Sequence, residues 1–217
     1  MVPHVKNICK TSFYHLRNIA RIRKFISLKT AETLVHSFVT SRLDNCNSLL
    51  YGLPNTHLDK LQHVLNSAAR LVTLTKKRDH ITPVLKNLHW LPVKERIHYK
   101  ILLLTFKALH GLAPSYISEL ISVYKPKRTL RSSKELLLNA QPYNLKTYGY
   151  RCFSVSAPAL WNSLPSCIRL IDCLSSFKKE LKTHLFKLAF DLWSLFCLFL
   201  FLIVCLQRLE QTCICAI

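Results

Sequence analysis

VKERIHYKILLLTFKALHG, residues 93–111, decides the architecture. Its apolar residues, Ile97, Ile101, Leu102, Leu104 and Leu109 among them, fall on more than one side of a helix. A helix apolar around most of its circumference is buried inside a bundle. Gly111 is placed to stop it, because glycine accepts the left-handed conformation that ends many helices. The segments on either side must then supply the covering layer.

Upstream, Ile8 to Ile26 reads as a helix, with Phe13, Leu16, Ile19, Ala20 and Arg23 at helical spacing and Arg17, Arg21 and Lys24 between them. Thr30 is expected to cap a second helix, with Glu32 in its first turn and Leu34, Phe38 and Leu43 toward the core. Gly52-Leu53-Pro54 ends it. Thr56-x-x-Asp59 matches a capping box, and Leu58, Leu61, Leu65, Ala68, Ala69 and Val72 then share one face. Thr82-Pro83 opens a short helix that Trp90-Leu91-Pro92 closes, and Ala113-Pro114 opens another. The fold class expected is mainly α: an irregular multi-helix bundle over residues 1–123, a basic loop region with short strands and short helices over 124–190, and an apolar C-terminal helix in 191–217.

Between Tyr124 and Arg151, seven basic residues face one acid, Glu135, and Pro126, Pro142 and Gly149 interrupt any regular element. The basic residues are Lys125, Lys127, Arg128, Arg131, Lys134, Lys146 and Arg151, interleaved with Tyr124, Tyr143, Tyr148 and Tyr150. Lysine and arginine neutralise phosphates without reading sequence, and aromatic rings stack on unpaired bases. Candidate nucleic-acid-binding residues are those seven cations, Tyr148 and Tyr150, and the basic cluster Lys76, Lys77 and Arg78. The same pattern also fits tyrosines used as core or edge residues and cations that only solvate a loop. Further on, Phe153 and Val155 alternate with Ser154 as a short strand would. Ala157 to Leu164 reads as a short helix packed through Trp161. Ser175 is placed to cap a last helix with Phe177, Leu181, Leu185, Phe186 and Leu188 inward.

Composition narrows the function classes. The 217 residues carry a net charge of +20, and all but one of the 31 basic residues precede residue 191. Such a surplus favours a polyanionic partner, RNA or DNA backbone or an anionic membrane. The three glycines, Gly52, Gly111 and Gly149, build no phosphate-cradling loop and no dinucleotide fingerprint. No Gly-x-Ser-x-Gly elbow occurs. Asp44, Asp59, Asp79, Asp172 and Asp191 are well separated, unlike the clustered carboxylates of two-metal polymerases and nucleases. The nine cysteines form no Cys-x-x-Cys, and His80, His89 and His98 recur without the spacing of a zinc site, so no metal or cofactor is expected. The polar N-terminus MVPHVKNICKTSF has no signal-like apolar core, which points to reduced thiols in cytoplasm or nucleus.

The tail departs from this character. LWSLFCLFLFLIVCL, Leu192 to Leu206, would span about 22 Å as a helix against a hydrocarbon core of about 30 Å. Lys178, Lys179, Lys182 and Lys187 precede it and Arg208 follows, so an inserted tail would leave the body cytoplasmic. The competing reading is an extension with no membrane role.

Three segments occur in a telling order: SRLDNCNSLLYGLP (Ser41–Pro54), HITPVLKNLHWLPVKERIHYKILLLTFKALHGLAPSYI (His80–Ile117) and FSVSAPALWNSLP (Phe153–Pro165). Together they resemble the C-terminal region of the reverse transcriptase polyprotein of non-LTR, LINE-type retrotransposons, from about Ile8 to about Ala189. Family members usually carry Tyr where this chain has Asn45, and often Gly-Thr where it has Leu74-Thr75. The resemblance implies a region that follows the polymerase palm, thumb-like and helical, and gripping template or primer backbone. It transfers no catalytic residue, because no position here matches the paired aspartates of the palm. The function expected is a non-catalytic remnant with sequence-independent RNA or DNA backbone binding. The alternatives are a tail-anchored membrane protein with a cationic cytoplasmic body, or a pseudogene product without selected activity.

Overall fold

The computed structural model describes residues 1–126, 135–145 and 147–190. Among them helix dominates and no strand forms; the nearest approach is one isolated antiparallel bridge, Val123 to Leu138. Helix α1 runs Val2–Ile22, α2 Leu28–Val35, α3 Ser41–Asp44, α4 Asn55–Thr73, α5 Ile81–Asn87 and α6 Val93–Leu109. Then follow α7 (Ser115–Ser118), α8 (Phe153–Asn162), α9 (Ser166–Arg169) and α10 (residues 174–190).

Helix α6 is the hub. Ile97 and Ile101 enter a core built with α1, α2 and α4, where Val35, Leu61, Val64, Leu65 and Val72 are fully buried. Leu102 and Phe106 enter a second core with Trp161, Phe177 and Leu181. Ile101 and Leu102 are neighbours in sequence, so their side chains leave the helix about 100° apart. The Phe106 and Phe177 rings stack at 4.2 Å between centroids. Gly111 ends α6 with φ +67°, and Leu112 N–H donates to Lys107 O at 2.8 Å, a Schellman closure.

Several sequence-based boundaries shift for identifiable reasons. α1 starts at Val2, six residues before the expected start, because Pro3 sits in the first turn where its missing N–H is harmless. Its buried line is Val5, Ile8, Ser12, Leu16 and Ile19, and it continues into a 3-10 turn, Arg23–Phe25. Ser27, not Thr30, caps α2: its hydroxyl accepts from Thr30 N–H at 3.1 Å. Phe38 is exposed and Leu34 only partly buried; the inward line is Ala31, Val35, Val39 and Leu43. Residues four apart drift by about 40° per step on a regular α-helix. A π-helical turn, His36–Thr40, closed by Ser41 N–H to His36 O, takes up that drift and keeps the line facing inward.

The Thr56-x-x-Asp59 capping box does not form. α4 begins at Asn55, Pro54 is its cap, and Pro54 O accepts from His57 and Leu58 N–H, so Thr56 lies inside the first turn. The expected strand at Phe153–Val155 is instead the start of α8, whose first turn is closed by Val155 and Ser156 N–H on Cys152 O. Three alternating residues are too few to separate the two periods. In α10, Phe177, Leu181 and Leu185 are buried, while Leu188 is exposed and Phe190 takes the inward place. Ser175 lies one residue inside that helix rather than before it. The apolar segment Leu192–Leu206 lies outside the described residues, and among the described ones no helix is long and apolar enough to cross a membrane.

Polar ties join the elements at their ends. The guanidinium of Arg23, 7% exposed, donates to Leu71 O (3.0 Å), Val72 O (2.7 Å) and Ile26 O (3.0 Å). It thereby binds the end of α1 to the carbonyl-rich end of α4. Val93 N–H, at the uncapped start of α6, donates to Gln62 Oε1 at 2.9 Å. Arg96 donates to Leu91 O (2.7 Å) and to Asp44 Oδ2 (2.8 Å). Asn162 brackets Leu138, accepting from its N–H and donating to its O, both at 2.9 Å. Trp161 Nε1 donates to Leu136 O at 2.9 Å.

Two variants test this account. Arg23→Met keeps the aliphatic packing and strands three carbonyls; it is expected to cost about 2–3 kcal/mol in urea unfolding. Arg21→Met on the exposed face is expected to change stability by under about 0.5 kcal/mol. Leu74, exposed and left-handed at φ 57°, ends α4 where glycine belongs. Leu74→Gly is expected to raise stability by about 1 kcal/mol and the melting temperature by about 2–4 °C; no gain in a thermal melt would refute the strain.

Candidate nucleic-acid interface

The basic cluster at the end of α4 is a fixed turn. Asp79 N–H donates to Lys76 O (3.2 Å), and Lys76 N–H donates to Asp79 Oδ2 (3.1 Å). Arg70 Nη1 donates to Lys76 O (2.8 Å) and Asp79 O (2.9 Å). The four bonds use up the turn's acid and one arginine, and hold Lys76, Lys77 and Arg78 out in solvent.

The extra turns at the start of α1 bring in two residues that the sequence reading missed. Lys6, Lys10, Arg17, Arg21 and Lys24 lie on one stripe, within an arc of about 60° and about 27 Å long. All five are exposed, and α1 carries no acid. The signal was the spacing 6, 10, 17, 21, 24, visible only if the helix begins before Lys6. α1 and α4 lie side by side in the same direction: Phe13 meets His63 at 5.8 Å between rings, and Arg23 meets Leu71 and Val72. One pocket between them is lined by Lys6, Phe13, Lys60 and His63, and a second, on α4 and the turn after it, by His63, Arg70 and Lys77. Among the described residues, Asp59 is the one acid lining these two pockets. Lys6 belongs to both the stripe and the first pocket, and Lys77 to both the second pocket and the turn.

The 124–151 region is split differently. Lys127, Arg128, Arg131, Lys134 and Lys146 lie outside the described residues. Lys125 is exposed beside the Val123–Leu138 bridge. Tyr148 is 79% exposed. Tyr150 and Arg151 also take part in packing, with Tyr150 still 37% exposed. The Tyr150 ring lies 5.3 Å from that of Tyr51, the two hydroxyls are 3.1 Å apart, and Tyr143 closes the cluster. A side chain at Gly52 would come within 3.0 Å of both Arg151 and Tyr150, so glycine is required there. Burial and the Tyr150 hydroxyl hold the Tyr51 phenol well above its usual range. Trp90 and Trp161 are both buried and act as packing residues.

Among the described residues no three His, Cys, Asp or Glu side chains gather to hold a metal ion. Asp44 and Asp79 are each engaged, in the Arg96 pair and in the Lys76 turn. No family model, curated protein or solved structure matches this chain.

One group beside the tyrosine cluster sets an acid limit. Burial, with Lys94 nearby, lowers the pKa of His98 to about 4. Unfolded histidine titrates near 6.5. The neutral form is favoured in the fold, so this contribution is complete above about pH 6.5 and is lost as pH falls to about 4, up to about 3 kcal/mol. His98→Gln is expected to flatten that part of the stability–pH curve in urea titrations; an unchanged slope would show that His98 does not carry it.

Proposed function

We propose that this chain is a non-catalytic remnant of a LINE-type reverse transcriptase, from the region after the palm, that binds RNA or DNA through its phosphate backbone. The observation that carries the reading is the set of exposed cations on the α1 stripe, in the two pockets beside α4 and on the Lys76–Arg78 turn. Along one nucleic-acid strand, charges repeat about every 3.4 Å, so a stripe of about 27 Å meets several phosphates at once. Apart from Arg70, which is held by the turn's carbonyls, the cations there are exposed and pair with no described carboxylate, which leaves their charge to phosphate. The turn is held by its own hydrogen bonds, which spares the entropy of ordering it on binding.

Two further features favour the retrotransposon origin. The three quoted segments are tied to one another or to the core through their own characteristic residues. Asp44 of the first bonds Arg96 of the second, and Trp161 and Asn162 of the third grip residues 136–138. Leu74 occupies a left-handed position suited to the glycine that members of the resembled family often carry there. A strained leucine in that place fits drift in a copy no longer under selection for polymerase activity.

The reading predicts steeply salt-dependent binding with little preference among unrelated sequences. Replacing Lys76, Lys77 and Arg78 together by Gln is expected to lower the slope of log K against log salt by about 2–3. Fluorescence anisotropy with labelled single-stranded RNA, single-stranded DNA and duplex reads this out. A flat salt response, or a slope untouched by the triple substitution, would sink the proposal.

A further inference from the structure

We propose that the surface along the α1 stripe selects single-stranded nucleic acid, by stacking unpaired bases on the rings of Tyr14, His15 and Phe38. The inference rests on the backbone-binding reading and names the class of strand that surface takes.

Cations alone attract duplex and single strand alike. The rings beside them decide between the two. Tyr14 is 59% exposed and Phe38 44%. Half-buried His15 joins them: its ring lies edge to face with that of Tyr14 at 5.4 Å and stacks on that of Phe38 at 5.2 Å, with 21° between planes. Exposed rings scattered singly are common on proteins, but three in contact outside the core form a patch. The π-helical turn His36–Thr40 buries Val39 and Thr40 and leaves Phe38 outside, against His15. Turns of this kind recur at functional sites.

Helix α1 sets where the rings stand among the charges. Tyr14 lies about 20° outside the arc of the stripe and inside its longest gap, about 6 Å past Lys10 and about 4.5 Å before Arg17. A base stacked there has a cation on either side for its two phosphates. His15 and Phe38 continue from Tyr14 away from the stripe. A row of charges thus runs beside a patch of rings, the two parts that a single-strand site combines.

A duplex can use the charges but not the rings, because its base faces are stacked on one another. Nor does α1 stand clear of its neighbours as a helix entering a groove must. It is flanked on one side by α4, through Phe13 and His63, and on the other by the π-helical turn, through His15 and Phe38. Two helices side by side make a face about 20 Å across, against a major groove about 12 Å wide.

The test is fluorescence anisotropy of the full chain with a labelled single strand, the same strand built from base-free sugars, and a duplex of equal length. The single strand is expected to bind at least about fivefold more tightly than either of the others. Tyr14→Leu and Phe38→Leu, which keep apolar bulk and delete the ring, should each cut that preference about fivefold or more. Tyr14→Phe, which keeps the ring, should retain it. A duplex or a base-free strand binding as tightly as the single strand, or a preference that survives both leucine substitutions, would overturn the proposal. If the salt dependence stays steep in that case, backbone binding stands and only the stacking is lost. Absence of salt-dependent binding to all three would overturn both.

Discussion

One helix with two buried faces holds this molecule together. α6 offers Ile97 and Ile101 to one core and Leu102 and Phe106 to another, and neither core closes without it. Its start is correspondingly over-determined. The helix has no side-chain cap of its own, and Gln62 from α4 supplies the acceptor for Val93 N–H. One turn on, Arg96 reaches back to Leu91 O and out to Asp44. A helix buried on both sides cannot rotate to relieve a misfit, so its axial position has to be fixed by bonds of this kind. Everything carried on neighbouring elements, the basic surface on α1 and α4 included, inherits its geometry from that placement.

The same need explains the π-helical turn. Leu43 must stay in the first core and Asp44 must meet Arg96, although both follow a helix that began at Leu28. A regular helix would have carried the inward line away from α6 before reaching them. The widened turn at His36–Thr40 corrects the direction, and leaves the Thr40 hydroxyl buried at the wall of a cleft. The packing requirement and the unpaired polar atom therefore have a common cause.

How much of this was legible in the sequence depended on how local the signal was. α6, its Gly111 stop and the inward face of α4 follow from periodicity and from glycine's freedom, and these were readable. Helix starts were not: Ser27 and Thr30 are both good caps, and only the backbone of residue 27, extended at ψ 161°, decides between them. The capping box at Thr56 failed because the preceding proline already supplied an extended cap. Phe38 was misplaced because a π-turn leaves no composition signature. The α1 stripe was half seen, since Lys6 and Lys10 count only if the helix begins before them. Tyr150 and Arg151 also pack over Gly52, and that fit is a long-range contact that no local pattern encodes.

The two kinds of cation are used differently, and this bears on how the surface can act. Arg23, Arg70 and Arg96 direct their guanidiniums at backbone carbonyls, and Arg169 is buried with one nitrogen on Glu135. A planar, weakly hydrated group with five donors suits such places; a compact ammonium does not. Among the described residues every lysine except Lys86 and Lys107 is exposed, and none forms a side-chain hydrogen bond or ion pair with another described residue. Structural charge therefore resides mainly in arginine, and free charge mainly in lysine. Mutual repulsion among those lysines opposes folding, and a phosphate backbone laid along them would reverse its sign. Binding a polyanion should thus stabilise the fold by the same charges that weaken it alone.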